Sequence, residues 1–294
     1  MATLKALIDE TLDSHFYAQI ANTASAHNGI YRGANLAQWY TIDQLSAKVQ
    51  SQDWSNLFIG DYYDITMTSS YATETARWQI AGFDTEYGHG DSGYTTVSSG
   101  DSLFEHHIAF VPRNCFSTYQ KMNSSNTTSG GYSGSAMATT VLPAYATALK
   151  NAIGSAHVLK RRVLRSNAVS DSVMSGAYCG WSGASSGWAW VDEELGLLNE
   201  VQVYGTRVLS SSFYDVGNFN RQLPLFALGQ DKLVSEPGVK TSQTETFTGW
   251  SRSGWWLSAV AHSGGFCLVD PHGFAASAHG ASYAFGVRPL FLFH

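Results

Sequence analysis

The sequence predicts a mixed α+β domain preceded by a short helical N-terminal segment. Three observations carry that expectation. In 294 residues, 44% are hydrophobic and 13% aromatic, enough for a substantial buried core. Only 14% are charged, while Gly, Ser, Thr, Asn and Tyr are abundant, a balance that favours loop-rich β structure. Helical periodicity is confined to a few stretches, with apolar strand-like runs between them.

The elements follow in order. Leu4, Leu7, Ile8, Leu12 and Phe16 recur at helical spacing among Asp9, Glu10 and Asp13, predicting an amphipathic helix over residues 4 to about 20. Its apolar stripe needs a partner, either its own domain or a bundle of chains, so residues 1–35 are expected to serve attachment or trimerisation. Residues 36–294 are expected to form the main domain. Thr41 is placed as the N-cap of a second helix, "TIDQLSAKVQSQ". "NLFIGDYYDITM" and "RWQIAGFDTEYG" predict two strands around a polar loop, and "EHHIAFVPR" a further strand ending at Pro112. "MNSSNTTSGGYSGSAM" predicts a long loop pinned by its own hydrogen bonds. "VLPAYATALKNAIG" is the best internal helix, "LKRRVLR" reads as the polar face of a short element, and "ELGLLNEVQVYG" as a strand approach ending at Gly205. Tryptophans 181, 188, 190, 250, 255 and 256 crowd the second half, where rigid rings can hold irregular loops.

Several function classes are disfavoured. A formal charge of −6 argues against a nucleic-acid-binding surface. Cys115, Cys179 and Cys267 are odd in number and form no CxxC pair, which disfavours a disulfide framework and a structural zinc. The opening residues lack the apolar core and cleavage site of a signal peptide, and no apolar run reaches transmembrane length, so synthesis in a cytoplasm without membrane insertion is expected.

Motifs for chemistry are sparse. His106 and His107 are neighbours, so in a strand they face opposite ways and cannot share a metal. The carboxylates of "GDYYD", "FDTE" and "VDEE" each suit a turn or strand end as well as a glycosidase pair. No GxSxG elbow, P-loop, HExxH or dinucleotide fingerprint occurs. "GYSGS" at Gly131 to Ser135 sits in a Gly/Ser-rich loop. No catalytic residue, metal or cofactor is expected.

Near the end, "WWLSAVAHSGGFCLVDPHGFAASAHGASYAFGVRPLFLF" opens on two tryptophans and closes on an apolar strand. From Ser258 to Phe285 it has neither helical periodicity nor clean alternation, and it contains no Lys, Glu, Gln, Met or Trp.

As an ordered set, "IYRGANL", "LFIGDYYDI", "WQIAGFD", "HHIAFVPR", "MNSSNTTSGGYSGSAM", "GSAHVLKRRVL" and the closing "WWL…FCLV…G…A…GVRPLF" resemble variable proteins of diversity-generating retroelements, of phage and prophage type. The resemblance runs from about Ile30 to the end. It implies a C-type-lectin-like (formylglycine-generating-enzyme-like) fold whose 255–289 region is diversified by misincorporation at template adenines. Asparagine-type codons altered in that way cannot yield Lys, Glu, Gln, Met or Trp, the five residues missing from 258–285. The family pattern has Arg-Ser after WWL, whereas Ser258 and Ala259 follow here.

The resemblance implies a fixed frame of Trp255, Trp256, Leu257, Phe266, Cys267, Val269, Gly273, Ala275, Ala281, Gly286, Val287, Arg288 and Pro289. Between those posts, Val260, His262, Gly264, Gly265, Leu268, Asp270, Pro271, His272, Phe274, Ala276, Ser277, His279, Gly280, Tyr283 and Phe285 are the expected variable, ligand-binding positions. The implied function is recognition of a host-cell surface protein or glycan, without catalysis, from a phage tail tip or a bacterial surface. Two rivals stay open: a fixed-specificity glycan-binding tail-fibre module or depolymerase, and a copper- or iron-dependent oxidase on the same fold.

Overall fold

The computed structural model describes residues 17, 19–89, 103–166, 188–210, 221–228, 232, 234–235, 252–277 and 279–294. The helix expected over 4–20 therefore lies outside the described residues except at its end, as do Cys179, Trp181 and Trp250. Tyr17 is helical, and its ring centroid lies 4.5 Å from that of Phe58. The described residues from Ala24 to Leu36 already pack against the domain. His27 is buried with Nδ1 2.6 Å from Leu57 O, Asn28 exchanges side-chain hydrogen bonds with both backbone groups of Phe83, and Arg32 grips Asp61 at 2.6 and 3.0 Å. The expected boundary at residue 35 thus runs through a packed stretch.

Thr41 caps the helix Ile42–Gln50 as expected. Its hydroxyl accepts from Gln44 N while the Gln44 side chain accepts from Thr41 N, a reciprocal capping box. β1 (Tyr62–Thr68) and β2 (Thr73–Phe83) form an antiparallel hairpin. β3 (Ile108–Pro112) pairs with β2 across a bulge between Ile80 and Gly82. β4 (Gln120–Lys121) leads into the polar loop 122–136, which a π turn at Met137–Val141 joins to the helix Leu142–Ile153.

"LKRRVLR" is a strand, β5 (Arg161–Ser166), paired with β6 (Trp188–Glu193). It is not a polar face, because Arg161 and Arg165 are both buried. The strand approach read in "ELGLLNEVQVYG" is only β7 (Gly196–Leu197). A short helix, Glu200–Tyr204, follows, because Asn199 and Gln202 form a second capping box. A helical turn at Pro224–Ala227 and the pair β8 (Val234–Ser235) and β9 (Arg252–Ser253) precede the terminal region.

That region is more regular than its sequence. β10 (Trp255–His262), β11 (Gly265–Val269) and β12 (Ala275–Ala276) make a three-stranded antiparallel sheet; β13 (Ala284–Phe285) pairs with β4. Register shifts on both sides of Val260, together with continuous burial over 255–260 and 265–269, erase the period of two.

β14 (Pro289–Phe293) enters the largest sheet between β3 and β7, giving the order β1-β2-β3-β14-β7. β3 and β14 are buried along their whole length, which explains why "IAFVP" and "PLFLF" read as continuous apolar runs. Trp78 packs edge-on against Phe291 (4.9 Å) and Phe116 (5.9 Å) at the centre of the core. The architecture is mixed α+β, mostly antiparallel with few helices. Among the described residues no helix is long and apolar enough to cross a membrane.

Candidate ligand-binding face

Most of the expected frame residues are buried. Trp255, Trp256, Leu257, Phe266, Cys267, Val269, Ala281, Gly286, Val287, Arg288 and Pro289 are buried, and Ala275 is half-buried. Both indole N–H groups are tied down, Trp255 Nε1 donating to Lys232 O (3.1 Å) and Trp256 Nε1 to Gln120 O (2.9 Å). Arg288 donates through Nε to Pro112 O and lies over the rings of Trp255 and Phe226. Gly273, at φ +87°, allows the turn between β11 and β12.

The expected variable positions divide. Val260, Gly265 and Leu268 are buried and do not reach a ligand on the surface: β10 and β11 are covered on both faces. His262, Asp270 and Gly280 hold local structure. His262 Nδ1 accepts from Gly264 N while Nε2 donates to Ser277 O at 3.1 Å, spanning the turn from inside. Asp270 Oδ1 accepts from His272 N and Phe274 N, both at 2.8 Å. Burial pushes the Asp270 pKa up, but those two N–H groups and the His272 side chain outweigh it and hold it below the ordinary value. A Cβ on Gly280 would collide with the Asn126 amide, and one on Gly265 would approach His279 O at 2.7 Å.

Pro271, His272, Phe274, His279 and Tyr283 project outward, Phe274 with 69% and Tyr283 with 54% of its surface exposed. Gly264, Ala276, Ser277 and Phe285 are half-buried. Phe285 packs edge-on against Trp256 (5.0 Å), and the His279 ring lies 4.9 Å from Phe285 and 5.4 Å from Tyr283. The structure thus brings His279, Tyr283 and Phe285 together. Phe274 stands at the other end of β11, in the turn between β11 and β12.

The outward side chains ride on a backbone gripped from outside. Thr128 Oγ1 donates to His262 O and Thr128 N to Ser263 O; Asn123 N donates to Ala281 O, and Ala281 N to Gly264 O. Asn126 Oδ1 accepts from Ser282 N and Ser282 Oγ, and the Tyr204 hydroxyl donates to Gly273 O. Apart from the Ser282 hydroxyl, these bonds fall on main-chain atoms of the terminal region, so they do not depend on which side chains stand beside them. The loop 122–136 is pinned from within as well, Asn123 bridging Thr127 O and Ala136 N.

A buried ion cluster anchors the base of this face. Arg161 bridges Glu86 and Glu193, and Arg165 binds Glu193 through Nε and Nη2. Arg165 Nη1 also donates to Ser258 Oγ (3.0 Å) and Nη2 to Leu197 O, while its guanidinium lies over the Tyr132 ring. An arginine therefore does stand beside position 258, supplied by β5. Burial alone would raise the Glu193 pKa, but Arg165 and Arg161 outweigh it and hold the carboxyl below its ordinary value.

The other carboxylates weighed for catalysis are engaged in structure. Asp61 pairs with Arg32, Asp64 with Arg77, Asp192 with Lys160 and Arg162, and Glu194 with Lys150. Asp84 binds His106 Nδ1 at 2.8 Å and accepts from His107 N. His107 is fully buried, its Nε2 accepting from Glu86 N and its Nδ1 donating to Glu105 O; burial lowers its pKa. A recess of about 330 Å³ opens beside Asp84, Thr85 and Glu86, where Asn28, Gln202 and Gln222 already bond backbone or cap groups. Sequence reasoning missed Glu200, a fully buried carboxylate that accepts from the backbone N–H groups of Val208, Leu209 and Ser210. Its signal was the Asn199 capping box.

Cys115 and Cys267 are buried and not in a disulfide, and burial with the neighbouring Glu200 carboxylate pushes the Cys267 thiol pKa well up. Among the described residues no group of three or more His, Cys, Asp or Glu side chains is arranged to hold a metal ion. Comparison with protein-family models, with curated proteins and with solved structures finds no match for this chain in any of the three.

Proposed function

We propose that the chain is a ligand-binding protein that presents the turns of its 255–289 region, on a C-type-lectin-like scaffold, to a molecule on a host-cell surface. It acts from a phage tail tip or a bacterial surface and belongs with the retroelement-diversified variable proteins. One observation carries this reading. The side chains of Pro271, His272, Phe274, His279 and Tyr283 face outward, while the backbone beneath them is held through main-chain atoms by Asn123, Thr128 and Tyr204. Such a surface changes its contacts without changing its frame. Modest affinity per copy would be multiplied where several copies share one particle.

The structural duties of His262, Asp270, Gly265 and Gly280 favour a second reading, a fixed-specificity binding module, because those positions resist free variation. Deep sequencing of the gene segment encoding residues 255–289 across a population separates the two. Under the first reading, substitutions concentrate at 271, 272, 274, 279 and 283 and spare Trp255, Gly273, Gly280 and Gly286. An invariant segment leaves the fixed module standing and removes diversification.

A further inference from the structure

The face around Tyr283 has an unusual electrostatic character. No Asp, Glu, Lys or Arg occurs between Met122 and Leu149, and Asp270 is the sole such residue between Ser258 and Val287. Asp270 spends its Oδ1 on the turn at the far end of β11, away from Tyr283. Two uncharged segments are therefore laced together by the Asn126 to Ser282 and Thr128 to Ser263 bonds.

Their junction exposes a compact set of groups. Ser124, Ser125, Asn126 and Ser129 are exposed on the loop, and His279 and Tyr283 are exposed beside Gly280, which lies against Asn126. The Tyr283 ring lies 5.4 Å from the His279 ring, tilted against it, and the residue keeps about half of its surface exposed. The patch thus offers one aromatic platform ringed by hydroxyl, amide and imidazole groups, and the exposed Lys121, paired opposite Ala284, adds a single charge at its edge. A protein partner is ordinarily met by an apolar centre with Arg and aromatic anchors. A polyhydroxylated, uncharged ligand needs hydrogen-bonding groups around a flat apolar surface instead, and that is the set present here.

We infer that the ligand taken by the Tyr283 end of this face is a neutral glycan, recognised by stacking on Tyr283 and by hydrogen bonds from the 124–129 loop. The inference rests on the ligand-binding reading above and names its substrate class. Because the Tyr283 ring and the 124–129 loop carry no charge and Lys121 is only a rim residue, association should depend weakly on salt, unlike binding governed by fixed charges.

The test is an array of neutral hexose and N-acetylhexosamine oligosaccharides with their sialylated and sulfated counterparts, probed with the full chain and with Tyr283→Ala and Ser125→Ala variants. The expected result is retention of neutral glycans at low and high salt, with affinity falling about tenfold or more in Y283A and unchanged melting temperature. Preference for the acidic counterparts, loss of binding in salt, or equal binding by Y283A would overturn the inference. Intact host cells separate its failure from failure of the broader reading. Cell binding abolished by protease but not by periodate, with a blank array, would overturn the glycan while keeping the ligand-binding face. No binding to the array or to host cells would overturn both.

Discussion

Replacing Glu193 by Gln tests whether the ion cluster is a closed electrostatic unit. Two guanidiniums, Arg161 and Arg165, face two carboxylates, Glu86 and Glu193, and all four side chains are at most 11% exposed. The cluster is neutral as it stands. E193Q keeps the shape but removes one negative charge, leaving a buried excess positive charge and replacing charge-assisted bonds to both arginines with weaker ones. Breaking a buried pair in this way costs about 3–5 kcal/mol. At this chain length each kcal/mol moves the melting temperature by roughly 2 °C, so a fall of about 6–10 °C is expected by calorimetry at neutral pH. The pH dependence adds a sign. Because the folded pKa of Glu193 lies below its unfolded value, its stabilisation is present above the unfolded carboxyl pKa and is lost as pH falls through the folded one. The gap between wild type and E193Q should therefore narrow in acid. A gap that is constant with pH, or a neutral-pH loss below about 1 kcal/mol, would refute the view that charge rather than shape holds these strands.

Other outcomes follow from the terminal region. Gly273→Ala forces a Cβ onto φ +87° and should cost about 1–2 kcal/mol, read from urea unfolding. Asn126→Ala leaves Ser282 N without its acceptor and should cost about 1 kcal/mol while raising amide exchange at Ser282; unchanged exchange would show that the lacing does not hold the turn. Phe274→Ser, at an outward-facing position, should change stability by no more than about 0.5 kcal/mol, and a larger loss would mean that the ring is packed in solution.

Much of the fold was legible because local chemistry and tertiary packing agree there. Thr41 with Gln44 announces the helix Ile42–Gln50, and the unbroken apolar runs of β3 and β14 reflect strands covered on both faces. The legible elements fail where a second signal competes. "VQVY" alternates like a strand, yet the Asn199 capping box turns it helical. Arg161, Val163 and Arg165 share one side of β5, and "VDEE" lies on its partner; the buried pairing follows from their complementary signs only once Arg161 is known to sit opposite Glu193. In the candidate face, the outward role of Phe274 and Tyr283 was accessible from residue type, whereas burial of Val260 and Leu268 was not. The bulges that hide their strands leave no period to read. The duties of Gly280 and His262 depend on contacts with Asn126 and Ser277 that composition does not record.

β14 fills the gap between β3 and β7, and residues 255–288 are all translated before it. A frameshift or stop codon anywhere in that region deletes the strand to which β3 and β7 both bond, leaving two exposed sheet edges and an open core. Missense changes at outward positions pass through to a folded molecule, and garbled reading frames do not. The topology therefore makes folding itself a test of the reading frame: a chain garbled ahead of β14 lacks the strand that closes the sheet.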